Sequence, residues 1–258
     1  MSVPHAGENV PKEVKWLADL PETVLMCDVD RFVDELYTPA ASTMGVPMLV
    51  AETHRYVVDL NRVPEDIDQN SVEGAVNPPG LYTTGFHWSK TTTGAPLIKN
   101  PISQSLHNEL TEKYYSPFHK KIEQQYKDLS KGTESVYHLD AHSMPSVGTK
   151  AHRDPGQKRP QIVVSDCDGT SCDPGFSELV IKAYKSAGFE VEYNWPYKGG
   201  RITQMYGKPE LQQHALQVEM NRSLYMNEST KRKNANVFPE VQRQIVRAIG
   251  YIMNGLKS

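Results

Sequence analysis

The sequence predicts an α/β fold: a single domain with a mixed or mostly parallel central sheet flanked by helices. Short β-prone runs alternate with longer helical patterns along the chain, which is typical of sheets whose strands are joined by helices. The 258 residues suit one large domain and no linker-like stretch divides them, so we predict one domain over residues 1–258. In such sheets the functional site gathers at the carboxyl ends of the strands.

The first hundred residues are predicted to hold strand ends, one amphipathic helix and a long loop. We expect the end of a strand at residues 1–4, a helix from Asp28 and buried strands at 48–51 and 56–60. Asp28 suits a helix N-terminus, and the apolar residues after it recur at helical spacing. Residues 64–100 are rich in Pro, Gly, Asn and Thr, which indicates an ordered loop of the kind that often carries function.

In the rest of the chain, predicted helices and strands alternate more regularly. Its clearest helix is predicted over residues 103–130, where large apolar side chains recur near helical spacing. Four further β-prone runs and two amphipathic stretches follow. We therefore expect strands at 136–139, 161–164, 190–193 and 215–220, helices at 176–187 and 238–256, and a polar loop at 144–160.

Composition and charge exclude several classes of protein. The formal net charge is −3, from 28 basic and 31 acidic residues, so the chain has no strong field for nucleic acid or an anionic membrane. Three cysteines are too few and too scattered for a disulfide framework. No apolar run approaches the length of a membrane span, and the first residues do not resemble a signal peptide. We expect a cytoplasmic protein with a small-molecule substrate and neither nucleic-acid nor membrane partners.

Two histidines far apart in sequence, His5 and His142, follow short strand-like runs. Two imidazoles and a carboxylate make a catalytic zinc site with one open position. Asp30 is a candidate for the carboxylate, although it could equally belong to a solvated helix start, and Glu8 offers a weaker His-x-x-Glu alternative. Because side chains two apart on a strand share a face, Asp140 could hold the second ring nitrogen of His142.

Glu219 lies at the end of an apolar predicted strand, where a carboxylate is costly to bury unless it is paired or used. It could form an ion pair with Arg222. Alternatively, it could act as the general base that takes a proton from the attacking water and passes it to the leaving nitrogen.

Cationic side chains suggest where an anionic substrate would bind. Arg62 follows a predicted strand and has the planar fork that grips a carboxylate, with Asn61 beside it, although Arg62 could instead pair with Asp59. Lys198 and Arg201 flank two glycines, in a second cationic turn that could hold another carboxylate or be a surface hairpin.

One motif supports a different class of enzyme. Asp166, Asp168, Gly169 and Thr170 match the Asp-x-Asp-Gly-Thr pattern of haloacid-dehalogenase-type phosphotransferases, in which the first Asp is the nucleophile and magnesium is the cofactor. That architecture normally begins with this strand, and here only about 90 residues follow it, short of a usual domain. The alternative of an Asp166-based magnesium phosphatase therefore ranks second.

Six motifs, each weak by itself, occur in a specific order over nearly the whole chain. They are Ser2-Val3-Pro4-His5-Ala6-Gly7, Asp28-Val29-Asp30, Arg55-Tyr56-Val57-Val58-Asp59-Leu60-Asn61-Arg62, Asp140-Ala141-His142-Ser143, Gly169-Thr170-Ser171-Cys172-Asp173-Pro174 and His214-Ala215-Leu216-Gln217-Val218-Glu219. As a set they resemble the N-formylglutamate amidohydrolase family, which includes the N-formylglutamate deformylases of histidine degradation.

This resemblance implies an α/β fold of the zinc-carboxypeptidase class and one zinc ion per chain. By matching position, the metal ligands would be His5, Asp30 and His142, and the general base would be Glu219. The substrate carboxylate would be held by Asn61 and Arg62, with Lys198 and Arg201 as weaker candidates for a second carboxylate. The implied reaction is hydrolysis of N-formyl-L-glutamate to formate and glutamate.

Two positions depart from the family pattern. Many members have Arg where this chain has Gln204, and they differ at Arg222. Because both positions could touch a second carboxylate, hydrolysis of another N-acyl amino acid or a peptide-like amide remains an alternative.

Overall fold

The central sheet is built from six strands in this computed structural model, which describes residues 1–257. They are β1 (Ser2–Val3), β2 (Leu49–Val50), β3 (Val136–Met144), β4 (Ile162–Ser165), β5 (Val191–Tyr193) and β6 (Gln213–Asn221). Their spatial order is β2-β1-β3-β6-β4-β5. The first four of these are mutually parallel, and β4 and β5 run antiparallel to them. The predicted α/β fold with a mixed, mostly parallel sheet is confirmed.

Seven helices surround the sheet in the described part of the chain. They are α1 (Glu22–Leu25), α2 (Val33–Met44), α3 (Gln104–Leu110), α4 (Ser116–Leu129), α5 (Pro174–Ser186), α6 (Arg201–Tyr206) and α7 (Phe238–Gly255). A π-helical turn, Thr111–Tyr115, joins α3 to α4. The long predicted helix therefore exists, with one irregular turn inside it. Short 3-10 turns and a small ribbon of β7 (Met226–Asn227) and β8 (Arg232–Lys233) complete the fold.

The two faces of the sheet differ in polarity, because successive side chains of β3 and β6 point to opposite faces and are alternately apolar and polar. Leu139 and Val218 point into a large apolar core that they share with α2, α5 and α7. A second apolar core, formed by the 51–103 loop, α3, α4 and α6, lies on the opposite face. The polar members of the alternation, Asp140, His142 and Glu219, belong to that second face.

The predicted strand at residues 56–60 is wrong. Residues 54–62 form successive turns, in which the Val57 amide donates to the His54 carbonyl and the Arg62 amide to the Asp59 carbonyl. The buried Asp59 carboxylate also accepts the Asn61 amide at 2.9 Å. A carboxylate that needs several internal donors folds the backbone around itself, which outweighs the β propensity of the valines.

Helix α2 begins at Val33, five residues after the predicted start at Asp28. The segment before it is held by other partners, since the Asp30 amide donates to the His5 carbonyl at 2.9 Å and Tyr56 donates to the Asp28 carboxylate at 2.6 Å. Asp30 thus lies beside β1 rather than in a helical turn.

The cationic turn predicted around Gly199 and Gly200 leads directly into α6, which the sequence pattern did not reveal. A Cβ on Gly200 would lie 2.1 Å from the Asn61 side chain, so only glycine allows this approach. Among residues 1–257, no helix combines the length and apolarity needed to cross a bilayer.

Candidate active site

Three predicted ligands converge although the sequence separates them widely. The Nδ1 atoms of His5 and His142 lie 3.1 Å apart. One carboxylate oxygen of Asp30 lies 3.2 Å from His142 Nδ1 and 3.6 Å from His5 Nδ1. All three side chains are buried. The sheet explains the meeting, because His5 follows β1 and His142 lies on the adjacent β3.

Hydrogen bonds on the outer side of each imidazole decide which nitrogen is free. His5 Nε2 donates to Asp59 at 2.7 Å, and His142 Nε2 donates to Asp140 at 2.7 Å. A carboxylate accepts, so each Nε2 carries a proton, and each Nδ1 is the ring nitrogen turned toward the shared space, where its lone pair could bind a metal ion. The predicted contact between Asp140 and His142 is present. The same role of Asp59 was not foreseen.

The arrangement suits a zinc ion. Ligand atoms of a tetrahedral zinc site with bonds of about 2.0–2.1 Å lie about 3.3–3.4 Å apart, close to the three separations found here. Three lone-pair atoms this close repel unless positive charge lies between them. Burial disfavours the charged form of His142, but Asp140 and Asp30 outweigh it and raise its pKa well above the usual value. The cluster therefore attracts a cation and could hold a metal ion.

Asp30 is oriented by groups on its other oxygen. Arg222 donates to that oxygen at 2.9 Å and Ser143 at 3.1 Å, which leaves the second oxygen facing the imidazoles. Arg222 is thus a partner of Asp30, and the predicted ion pair between Arg222 and Glu219 does not form. The alternative ligand Glu8 is exposed and paired with Arg31 at 2.6 Å, away from His5.

Glu219 lies opposite His142 in the register of β3 and β6 and lines the same cavity. Burial raises the pKa of Glu219 to about 7, and the nearby Asp30 charge acts in the same direction. Its Oε1 accepts from the Gln217 amide at 2.7 Å, whereas its buried Oε2 has no partner among the described residues. A carboxylate with such a pKa can both take up and release a proton near neutral pH.

Asn61 and Arg62 also reach the cavity, whose volume is about 270 Å³. Asn61 Oδ1 accepts the Ile202 amide at 2.8 Å, which ties the side chain to the start of α6. Arg62 donates through Nε and Nη1 to the carbonyls of Thr84 and Asn61. No carboxylate among residues 1–257 pairs with Arg62, so its predicted alternative partner Asp59 is not used and Nη2 remains free for a ligand.

The second cationic pair is less well placed. Arg201 lines an adjoining cavity, where it lies 3.5 Å from Asp66 and donates to Gln204 at 3.3 Å. Lys198 is exposed, pairs with Asp168 at 2.7 Å and lines neither cavity. The structure therefore brings Arg201 near the site and leaves Lys198 outside it.

Sequence reasoning missed several residues of the cavity. Arg55 and Trp88 both donate to Asp59 at 2.9 Å, so they hold the carboxylate that holds His5. His152 comes from the 144–160 loop and Gln217 from β6. Only Gln217 carried a usable signal, since it lies two residues before Glu219 on a strand and must share its face.

The chain is similar to known proteins over most of its length. The model of the N-formylglutamate amidohydrolase family matches residues 1–226. The chain belongs to this family. It is 31% identical over 232 residues to the N-formylglutamate deformylase of Pseudomonas putida, covering 89% of this chain and 82% of that protein. It is 28% identical over 252 residues to the deformylase of Pseudomonas aeruginosa, covering 96% and 90%.

Solved structures of similar proteins agree with this family member in fold. The crystal structure of an N-formylglutamate amidohydrolase from Ralstonia eutropha matches with a TM-score of 0.86 and 27% identity, covering 98% of this chain and 93% of that chain. A gene product of Agrobacterium tumefaciens matches with a TM-score of 0.72 and 16% identity, covering 100% and 90%, and supports the fold alone.

Proposed function

We propose that this family member is a zinc-dependent amidohydrolase that cleaves N-formyl-L-glutamate with water to formate and glutamate. The observation that carries the proposal is the buried convergence of His5, Asp30 and His142 next to an unpartnered Glu219 oxygen. The chemistry that a zinc ion supplies at this position is polarisation of a carbonyl and acidification of water. The two Pseudomonas relatives named as N-formylglutamate deformylases support the choice of substrate.

The chain's own residues account for the remaining steps. Arg62 binds the substrate α-carboxylate through its free guanidinium nitrogen, and Asn61 adds its amide. This grip places the scissile carbon over the three candidate ligands. Glu219 Oε2 then takes a proton from the attacking water as the C–O bond forms. It delivers that proton to the amide nitrogen, and the C–N bond then breaks to release glutamate and formate.

The structure gives less support for a tight grip on the substrate's second carboxylate. Arg201 is the nearest predicted partner, and part of its guanidinium is already engaged by Asp66 and Gln204. Other N-acyl amino acids therefore remain candidate substrates. A phosphatase centred on Asp166 has no comparable support, since its carboxylate is taken up by Gly169, Tyr193 and Asn194.

The test is a substrate panel with metal control. Purified protein reconstituted with zinc should release glutamate and formate from N-formyl-L-glutamate faster than from N-acetyl-L-glutamate or N-formyl-L-leucine. A chelator should abolish turnover and zinc should restore it. Undiminished turnover after complete metal removal would refute the zinc dependence. Faster turnover of N-formyl-L-leucine would refute the acidic substrate and keep the amidohydrolase.

Cytoplasmic location and the single domain over residues 1–258 stay predictions, and Ser258 lies outside the described residues.

A further inference from the structure

Two buried acceptor atoms, on neighbouring side chains of one face of β6, have no donor among the described residues. They are Oε1 of Gln217 and Oε2 of Glu219, and neither has a hydrogen-bond partner among residues 1–257. Both residues are almost fully buried, with exposed fractions of 3% and 6%, and both line the cavity beside the candidate metal ligands. Leaving a buried acceptor unpaired is costly, so two such acceptors on one face point to a ligand that brings donors.

The orientation of the Gln217 amide follows from its neighbour. In the ionised form that acts as a base, Glu219 can only accept, and the Gln217 NH₂ group donates to its Oε1 at 2.7 Å. The carbonyl end is then the one without a partner. On β3 the side chains directly opposite these two are Asp140 and His142, which already donate and accept within their own pair. The protein therefore offers Gln217 Oε1 no donor.

We infer that Gln217 Oε1 accepts the N–H of the scissile amide, and that the enzyme is therefore restricted to amides that carry a hydrogen on nitrogen. This inference rests on the proposed amidohydrolase function and names the substrate class of the same site. Glu219 Oε2 is reserved for the proton of water, so Gln217 supplies the second acceptor. A hydrogen bond to the N–H also fixes the rotation of the amide, so that the nitrogen lone pair formed during reaction faces Glu219.

The contact between Gln217 and Glu219 also keeps the base in place during proton transfer. Gln217 holds Glu219 Oε1 through its NH₂ group, so the carboxylate keeps one rotamer while Oε2 gains and loses a proton. After cleavage, the product nitrogen carries additional hydrogens, and Gln217 Oε1 accepts one of them. A substrate without an N–H leaves Gln217 Oε1 buried and unpaired throughout, and sites of this kind reject such analogues strongly.

Two analogues without a nitrogen hydrogen test the inference on the unmodified enzyme. The first is 2-(formyloxy)glutarate, in which an ester oxygen replaces the N–H with little change of size. The second is N-formyl-N-methyl-L-glutamate. We expect kcat/KM for both to be lower than for N-formyl-L-glutamate by about 10²-fold, even though esters are intrinsically easier to hydrolyse than amides. Ester turnover equal to or faster than amide turnover would overturn the inference.

The variant Gln217→Met keeps side-chain length and removes the acceptor. It should lower kcat/KM for the amide far more than for the ester, so that the preference for the amide largely disappears. If Gln217 only positions Glu219, the variant will slow both substrates equally and the inference is wrong. The loss of the NH₂ group affects both substrates alike, and the ratio of the two rates isolates the N–H contact.

A binding measurement gives a readout that does not need turnover. By calorimetry, the zinc-loaded protein should bind L-glutamate, whose ammonium group donates, at least about tenfold more tightly than glutarate, which lacks it. Gln217→Met should remove most of that difference. Equal binding of the two compounds by the wild type would also overturn the inference. Failure to cleave N-formyl-L-glutamate or its ester at all would refute the proposed function together with it.

Discussion

Two buried acidic sites in this protein look alike in sequence and differ in what surrounds their carboxylates. Asp166 begins a tight acidic turn after β4, and both of its oxygens accept bonds from the protein, at 2.7 Å from Tyr193 and at 2.8–2.9 Å from Gly169 and Asn194. Asp30 has one oxygen bonded to Arg222 and turns the other toward two imidazoles. Their exposed fractions are both 1%.

The two sites differ in how many of their hydrogen-bond acceptors and ligand atoms lack a partner. The Asp166 turn is complete without a ligand, because every acceptor meets a donor and Cys167 and Asp168 adopt the left-handed backbone that closes the turn. The Asp30 site gathers three ligand atoms that could hold a metal ion, beside acceptors on Gln217 and Glu219 that have no partner among the described residues. The proposed role of Asp30 therefore rests on the hydrogen-bonding capacity that its surroundings leave unused, and not on the motif around it.

Neutralising Glu219 should cause the greatest loss of activity. Glu219→Gln should lower kcat by about 10³-fold or more, because the base is lost while the shape of the cavity is kept. Zinc content should stay at the wild-type level, as measured by metal analysis of the purified variant. Normal turnover by this variant would remove Glu219 from the mechanism.

The carboxylates behind the candidate metal ligands should have the next largest effect, on zinc affinity. Asp140→Asn is expected to weaken zinc binding by about 10- to 100-fold, since Asp140 orients His142 and increases its basicity as a ligand. Competition with a chromogenic chelator measures the change. Asp166→Asn is the matched control, because it removes an equally buried charge outside the cavity and should leave zinc affinity unaltered. Equal losses in both variants would mean that the effect is general destabilisation.

Substituting the residue that binds the substrate α-carboxylate should have a smaller effect, and this effect should fall on KM rather than on kcat. Arg62→Lys is expected to raise KM by about tenfold with little change in kcat, because lysine keeps the charge and loses the planar fork. Arg201→Lys changes the same residue type in the adjoining cavity and should raise KM less. If Arg201→Lys has the larger effect, the α-carboxylate and the second carboxylate have been assigned to the wrong residues.

The smallest effect on activity is expected from Asp166→Ala. Turnover per folded molecule should not change, while the free energy of unfolding should fall by about 2 kcal/mol because several buried donors lose their acceptor. Denaturant unfolding and a parallel activity assay separate the two quantities. Loss of amide hydrolysis with unchanged stability would show that Asp166 takes part in the reaction and would contradict its purely structural role.

Much of the site could be predicted from local sequence, because side chains along a strand point alternately to its two faces. Once 136–139 and 215–220 are recognised as strand cores, Asp140 shares a face with His142, and Gln217 shares one with Glu219. The choice of His5, Asp30 and His142 as candidate ligands also follows from chemistry, since imidazole and carboxylate are side chains that a catalytic zinc ion prefers, and their roles as ligands stay a prediction. The amphipathic helix at the C-terminus was likewise readable from its apolar period.

Other features depended on contacts between distant segments. The strand predicted at 56–60 fails because Asp59 needs donors from His5, Arg55 and Trp88, and no local pattern reports that need. The position of Asp30 outside α2 depends on the carbonyl of His5. The spacing of residues along the chain predicts contacts between residues close in sequence, and it does not predict contacts between distant segments.

The fold class, the faces of the strands and the side chains able to bind a metal could thus be inferred from the amino-acid sequence. Which carboxylates meet the two imidazoles, and which acceptors remain unpaired, became visible only in the folded molecule. Backbone periodicity is a local property, because it is set by a few consecutive residues. Hydrogen-bond satisfaction and charge balance are properties of the whole packed interior, where groups more than a hundred residues apart, such as His5 and His142, complete or fail to complete one another.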